Sequence, residues 1–329
     1  MLFRSSFEGV GRPQQVTRFS DAGPLSRTET TTYLDLHGPW VINLVSKVTE
    51  SGGAVPVENG YTALGSLQWT KKFGIQEASY QYYNDGTVMA QLDGASHKTQ
   101  FSNYKRGLPQ LVTFPPVNGV SDTISATVDD LGRITSRTDE LKNVTGFGYD
   151  YAGRLNRITP PSGGFETTLT FASVGTAEYG LPAGHWAQSV VQSAYRKVTY
   201  FDALWRPVLE RVFDYNNEAG TRSMVLRRYN GAGQTTFQSY PQRTINAVTD
   251  TPYGTTTAYD ALQRSTQADA AGETGLLTTK WAYNTGFSVK QTNPRNYSTT
   301  TTYQAFDNPK QAMVDRKSTR LNSSHTDIS

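Results

Sequence analysis

The feature that most constrains the fold of this chain is a short turn motif that recurs along the sequence. The motif is clearest at residues 129–134 and 149–155, where Gly132 and Gly153 lie 21 residues apart. In both segments an aspartate is followed three positions later by glycine and then by arginine. Aspartate can accept backbone N–H bonds two residues on, and glycine supplies the positive φ that a tight turn requires. The motif therefore indicates a β-turn that opens a return strand.

Looser copies of the motif follow in the second half of the chain. They are found at residues 200–207, 229–234, 259–264 and 303–308. Tyr259 and Tyr303 are 44 residues apart, which corresponds to two units, with residues 281–284 near the midpoint. Roughly twenty residues accommodate two short strands and two turns, so each unit predicts one β-hairpin. A lone hairpin is only marginally stable, whereas hairpins stacked edge to edge provide each other's partners.

These repeats predict an all-β fold of repeated β-hairpins stacked into a curved or spiral antiparallel sheet. We expect strands at about 128–137 and 144–150, a turn at 139–143 and a further turn at 150–153. We expect no helix longer than two turns within residues 120–312. Only 36% of the residues are hydrophobic, but 12% are aromatic, which suits a thin sheet stabilised by cross-strand ring contacts.

Residues 103–109 and 128–155 resemble the RHS/YD-repeat family, which includes bacterial polymorphic toxins, the C components of insecticidal toxin complexes and the animal teneurins. The resemblance covers residues 80–312 and weakens towards both ends. It implies a cocoon-like shell that encloses a toxic polypeptide. The cargo would come from a C-terminal part of the same polypeptide that this sequence does not contain, and the protein would be secreted or displayed on the bacterial surface.

The sequence divides the chain into three predicted regions. Residues 1–79 form a degenerate β-repeat region, and residues 80–314 form the RHS/YD-repeat region. Residues 315–329 resemble the translation of a sequencing adapter, so we expect them to lack regular structure and to pack on nothing. In three copies of the motif another residue stands where glycine is expected, namely Trp205, Gln263 and Asp307. Those turns must change type or carry strain, because bulky residues adopt positive φ poorly.

No catalytic, cofactor-binding or metal-binding residues are predicted. There is no cysteine, and His37, His97 and His185 lack the spacing of metal ligands. Residues 94–99 have only part of the spacing of a phosphate loop, and Asp129 with Asp130 occupies a turn position rather than a pair of catalytic acids. The net charge of +3 is scattered, which disfavours nucleic acid as a partner. No apolar stretch is long enough to cross a membrane.

The sequence leaves three functional hypotheses open. The first is a non-catalytic structural shell segment, which we expect to aggregate or to stay partly unfolded when residues 1–314 are expressed alone. The second is a binding module in which Trp186, Trp205, Trp281 and exposed tyrosines recognise cell-surface glycans. The third, an enzyme, is ranked last because no acid, base, nucleophile or metal set converges.

Overall fold

A computed structural model describes residues 3–19, 26–304 and 313–320 of the 329-residue chain. The chain divides into two compact units, Met1–Gly146 and Phe147–Tyr303. The C-terminal segments Gln304–Ala312 and Met313–Ser329 are grouped with the first and the second unit, respectively. We call these the N-terminal unit and the C-terminal unit and describe each by itself.

The N-terminal unit is built from strands of 5 to 11 residues. They are β1 (Phe3–Phe7), β2 (Pro13–Phe19), β3 (Ser26–Leu36), β4 (Val41–Glu50), β5 (Val57–Tyr61), β6 (Leu67–Lys72), β7 (Ile75–Tyr82), β8 (Val88–Asp93), β9 (Lys98–Lys105), β10 (Leu108–Thr113), β11 (Thr123–Val128) and β12 (Ile134–Thr138). Strand β13 (Val144–Tyr149) contains the division between the units.

The C-terminal unit continues the same pattern. Its strands are β14 (Leu155–Thr159), β15 (Thr167–Ser173), β16 (Trp186–Gln192), β17 (Tyr195–Phe201), β18 (Pro207–Asp214), β19 (Ser223–Tyr229), β20 (Thr235–Ser239), β21 (Gly254–Tyr259), β22 (Ser265–Gly272), β23 (Gly275–Asn284), β24 (Ser288–Thr292), β25 (Ser298–Gln304) and β26 (Met313–Arg320). A 3₁₀ turn (Tyr215–Asn217) and a short helix α1 (Glu218–Thr221) interrupt them between β18 and β19.

Consecutive strands pair antiparallel within each unit, so the chain runs as a meander of hairpins. This holds from β1 to β13 in one unit and from β14 to β25 in the other. The all-β prediction is confirmed. The longest helix among the described residues has four residues.

The register shifts by one residue where the recurring turn begins. Such shifts follow Thr127, Tyr200, Arg228 and Ala258. At the first of these, Gly132 N donates to Asp129 O, and Asp129 N donates to Arg133 O. This is a type I turn followed by a residue in the left-handed region, which forms a β-bulge and matches the right-handed twist of the strands. The motif therefore produces both the turn and the bulge.

The most extensive buried cluster among the described residues lies in the C-terminal unit. Leu209, Met224 and Leu226 on β18 and β19 are fully buried there. Two long connections bring in further apolar side chains, Leu181 from residues 174–185 and Ile245 from residues 240–253. The connections contact each other through a hydrogen bond from Val248 N to Tyr179 O at 2.8 Å. These connections, not a second sheet, supply the second layer of this core.

Two predictions need correction. The strand expected at 128–137 is divided, because residues 129–133 form the motif turn between β11 and β12. The tail expected to be unstructured from residue 315 begins within β26 (Met313–Arg320), whereas residues 321–329 lie outside the described residues. The predicted region boundary at 79/80 falls inside β7 and stays a prediction about repeat regularity. Within the described part of the chain, no helix is long and apolar enough to span a membrane.

Candidate functional site

The aspartate that opens each well-formed turn is bound on both carboxylate oxygens. Its Oδ1 accepts the backbone N–H groups two and four residues on, at 2.9–3.0 Å. Its Oδ2 accepts Nε of the arginine four residues on, at 2.7–2.8 Å. The turns concerned start at Asp129, Asp150, Asp202 and Asp260. Hydrogen bonds from that arginine lower the pKa of the first, second and fourth of these carboxyl groups. These aspartates therefore hold the turns together.

The same turn also occurs with residues that the motif did not predict. Asp93 Oδ1 accepts the N–H groups of Ala95 and His97 at 2.9 Å, and His97 Nδ1 lies 2.9 Å from Asp93 Oδ2. The backbone hydrogen bond from His97 lowers the pKa of Asp93. Residues 94–97 therefore belong to a hairpin turn, and residues 98 and 99 begin strand β9. Near the N-terminus, Glu8 and Arg12 form a further copy of the turn.

Tyrosines link several hairpins to an earlier one in the sequence. In six cases the tyrosine hydroxyl donates to the carbonyl of the first residue of a strand that lies 15 to 24 residues upstream, at 2.6–3.0 Å. The six donors and acceptors are Tyr33–Pro13, Tyr82–Leu67, Tyr104–Val88, Tyr229–Pro207, Tyr259–Thr235 and Tyr283–Ser265. Each hydroxyl supplies a donor to the carbonyl at the start of a strand, and so fixes that strand end beside a turn.

In three of these pairs the same tyrosine ring also contacts the arginine that ends the turn. The guanidinium carbon lies 4.6 Å from the ring centroid for Arg12 and Tyr33, 5.0 Å for Arg206 and Tyr229, and 4.0 Å for Arg264 and Tyr283. We call each of these three an arginine–tyrosine clamp. Cation–π contact and the hydroxyl hydrogen bond act on adjacent residues of one turn, so the clamp fixes that turn from the next hairpin.

The turns that lack glycine keep the same hydrogen bonds and carry the strain. Trp205 N donates to Asp202 O at 3.0 Å and Gln263 N to Asp260 O at 2.9 Å, as glycine does elsewhere. The two residues have φ of 62° and 65°. A residue with a Cβ pays about 1–2 kcal/mol for this conformation. The third position, Asp307, lies outside the described residues.

Trp205 is part of an aromatic cluster that lines a pocket. Its ring centroid lies 5.4 Å from that of Trp186 and 5.5 Å from that of Phe171, and the latter two rings stack at 5.1 Å. The neighbouring cavity has a volume of about 540 Å³ and is also lined by residues 181–185 and 201–203. The Trp205 side chain remains 54% exposed. The structure thus brings together two of the three predicted tryptophans, and Trp281 lies on β23, outside the lining of this pocket.

The three histidines named in the sequence analysis belong to separate local structures. His37 O accepts a hydrogen bond from Trp40 N in the turn before β4, and His97 closes the Asp93 turn. His185 is buried, and its ring centroid lies 5.9 Å from that of Tyr200. Among the described residues, no three histidine, aspartate or glutamate side chains are grouped so that they could hold a metal ion. The absence of catalytic, cofactor and metal sites stays a prediction.

Comparison with known proteins gives one family match, with the RHS Repeat family, over residues 128–164. No curated protein matches the chain. Solved structures align over 92% of this chain. They include the crystal structure of TcdB2-TccC3-Cdc42 (13% identity, TM-score 0.48) and that of TcdB2-TccC3 (14%, 0.47). A structure of the Photorhabdus luminescens Tc holotoxin pore also aligns (12%, 0.35).

This chain spans 16% of the length of the first two solved chains and 18% of the third. The matched segment, residues 128–164, begins at the end of β11 and contains the turns at Asp129 and Asp150. Strands β12 and β13 lie between these two turns, and β14 follows the second. Of the residues that carried the sequence resemblance, 128–155 lie within the family match, whereas 103–109 lie outside it. The family match is thus with an RHS Repeat, and it covers residues 128–164 of the chain.

Proposed function

We propose that this chain is a non-catalytic wall segment of an RHS-repeat protein that encloses a polypeptide cargo. The observation that carries the proposal is the arginine–tyrosine clamp, together with the tyrosine hydrogen bonds between hairpins. Each clamp uses a charged and an aromatic side chain to join one hairpin to the next, as an extended sheet wall requires. The ionisable residues at the motif turns are committed to hairpin geometry, which supports a structural role.

In this proposal the cargo comes from the remaining part of the same polypeptide, and the wall bends into a cocoon-like shell around it. Secretion or display at the bacterial surface follows from a role in delivering a toxic polypeptide. A continuous antiparallel sheet is suited to this task because its backbone groups are paired within the wall. Neither nucleic acid nor a lipid bilayer is a partner in the proposal.

The test uses the complete natural polypeptide that contains this chain and follows protease resistance of its C-terminal region. We expect that region to survive limited trypsin digestion in the intact protein. Replacing Tyr229 and Tyr283 by leucine should open the wall and expose the region to digestion. Tyr151→Leu is the matched control, because Tyr151 is fully exposed. Rapid digestion of the C-terminal region in the unaltered protein would refute enclosure.

A second candidate function, carbohydrate binding, is favoured by one observation. The exposed Trp205 lies beside Trp186 in the pocket of about 540 Å³, and indole faces can stack on the apolar face of a sugar ring. Titrating the chain with oligosaccharides while following tryptophan fluorescence tests it. Trp205→Gly should abolish a fluorescence response. Trp40→Gly is the control, because Trp40 is also exposed and has φ of 57°. No response in the unaltered chain would exclude this function.

A further inference from the structure

An asparagine side chain is open to attack by its own backbone when glycine follows it, because glycine has no Cβ to shield its amide nitrogen. The chain contains three such dipeptides, at residues 59–60, 118–119 and 230–231. The reacting atoms are the same in all three. A difference in reactivity between them in the folded chain therefore comes from the structure around each asparagine.

Asn118 and Gly119 form the tip of the connection between β10 and β11. Val117 N donates to Val120 O at 2.8 Å, and Val120 N donates to Val117 O at 3.1 Å. The two residues between them have φ of 52° and 81°, as in the tight hairpin turn that Asn-Gly favours. Val117 and Val120 are 72% and 68% exposed, so the tip projects into solvent.

The two groups that would react at this tip are unrestrained. The Asn118 side chain is exposed and makes no hydrogen bond with any described residue. The amide of Gly119 likewise has no acceptor within the described part of the chain. Nothing lies within 4 Å of the position that a Cβ on Gly119 would take. The side chain can therefore rotate towards this amide, and water can reach both groups.

Asn59, by contrast, is held within strand β5. Its Nδ2 donates to Val45 O at 2.9 Å, and Gly60 lies opposite Trp69 in the pairing of β5 with β6. The indole ring of Trp69 fills the space that a Cβ on Gly60 would need. Attack at Asn59 therefore requires this hydrogen bond to break beside a ring that already crowds the glycine.

Asn230 is held within a copy of the recurring turn. Its Oδ1 accepts the N–H groups of Ala232 and Gln234 at 3.0 Å. Its Nδ2 donates to Gln234 Oε1 at 2.9 Å. All three hydrogen bonds would have to break before Cγ could turn towards the amide of Gly231.

We propose that Asn118 is a site of spontaneous deamidation, whereas the fold protects Asn59 and Asn230. The amide nitrogen of Gly119 loses its proton to solvent and attacks Cγ of Asn118, and the side-chain nitrogen leaves as ammonia. The new N–Cγ bond closes a succinimide ring. Water then opens the ring at either carbonyl and gives aspartate or isoaspartate.

The two products differ in their effect on the hairpin. Aspartate tolerates the positive φ of residue 118, so it keeps the turn. Isoaspartate carries an extra methylene in the main chain, and a two-residue turn depends on the backbone dihedrals of its two central residues. This product should therefore lose at least one of the hydrogen bonds between Val117 and Val120 and loosen the tip.

Peptide mapping of the complete natural polypeptide that contains this chain tests the proposal. Trypsin places each dipeptide in a peptide with no other asparagine, namely residues 48–71, 107–133 and 229–243. After incubation of the folded polypeptide at pH 8, mass spectrometry follows the exchange of NH2 for OH in each peptide. We expect the peptide of residues 107–133 to react about tenfold faster than the other two, because hydrogen bonds restrain their asparagines.

The same incubation in urea separates structure from sequence, since the three peptides should then react at similar rates. Gln234→Ala removes the acceptor of Asn230 Nδ2 and should accelerate the reaction of residues 229–243 severalfold in the folded polypeptide. Asn118→Gln is the control and should abolish the mass change in residues 107–133. Gln263, with φ of 65°, shows that glutamine can adopt the conformation needed there. Equal rates for the three peptides in the folded polypeptide would overturn the proposal, as would a preference for residues 107–133 that persists in urea.

Discussion

The guanidinium carbon of Arg264 lies 4.0 Å from the ring centroid of Tyr283, whose hydroxyl donates to Ser265 O at 3.0 Å. One side chain of a later hairpin therefore contacts two successive residues of an earlier one. Arg264 is also bound to Asp260, which opens the turn. The turn is thus held by the carboxylate of Asp260 within it and by the phenol of Tyr283 from a later hairpin. Arg206 and Tyr229 repeat the arrangement at another turn of the same unit.

The clamp makes a prediction about the two parts of its contact. Tyr283→Phe retains the ring but removes the hydroxyl, so we expect the free energy of unfolding to fall by about 1 kcal/mol. Tyr283→Leu removes the cation–π contact as well and should cost a further 0.5–1 kcal/mol or so. Urea denaturation measures both. Tyr151→Phe, at a fully exposed position, is the control and should be neutral. Equal stability of Tyr283→Phe and the unaltered chain would contradict a role for the hydroxyl.

A strained turn should be stabilised by glycine. Gln263 has φ of 65° in a turn whose counterparts carry Gly132 and Gly153. Gln263→Gly should raise the free energy of unfolding by about 0.5–1 kcal/mol, because relief of strain exceeds the entropy gained by the unfolded chain. Ala261→Gly, in the same turn but without positive φ, should lower it. If both variants lose stability in urea, the turn is not strained.

One strand glycine should not tolerate a side chain. A Cβ at Gly254 would lie 2.3 Å from Gln238 O, where β21 pairs with β20. Gly254→Ala should therefore destabilise the C-terminal unit by about 1–3 kcal/mol, as overpacking against backbone does. Gly231→Ala is matched to it, because nothing lies within 4 Å of a Cβ there. Thermal unfolding compares the two, and a similar loss in both would argue against the close approach.

The buried phenol of Tyr200 should titrate late. Burial raises its pKa to about 12 from an ordinary value near 10. Since the folded pKa is the higher one, its contribution to stability is complete below pH 10 and is lost as pH rises towards 12. Absorbance at 295 nm should show a phenol that ionises near pH 12 and that disappears in Tyr200→Phe. Ionisation of this residue together with the exposed tyrosines would contradict its burial.

The hairpin turns could be predicted because their chemistry is local. An acceptor side chain, a residue with positive φ three positions later and a donor after it all lie within five residues. Where another residue type takes the place of the aspartate, glycine or arginine, the turn is not recognised from the motif. Ser96 has φ of 66° and His97 replaces arginine in the Asp93 turn, and glutamate opens the turn that ends at Arg12. A search for any acceptor followed by a donor four residues on would have found both.

The pocket and the core connections could not be predicted in this way. Trp186 and Trp205 are 19 residues apart, and their contact depends on the register of β16 with β17 and on the bulge after Tyr200. A shift of one residue would send the two rings to opposite faces. Residues 174–185 and 240–253 carry no repeat signal. Leu181 and Ile245 become core residues only because a sheet face is available beneath them.

The direction of the tyrosine contacts has a consequence for the order in which the chain folds during synthesis. Each hydroxyl bonds to a carbonyl that lies 15 to 24 residues earlier in the chain. The turn beside that carbonyl therefore gains this hydrogen bond only after the following hairpin has left the ribosome. Translation adds about 5–20 residues per second, which makes each hairpin wait roughly a second or a few for its tyrosine. At each of these six positions the growing sheet therefore ends in one hairpin that still lacks its tyrosine contact, and a pause in translation there would leave that hairpin incomplete.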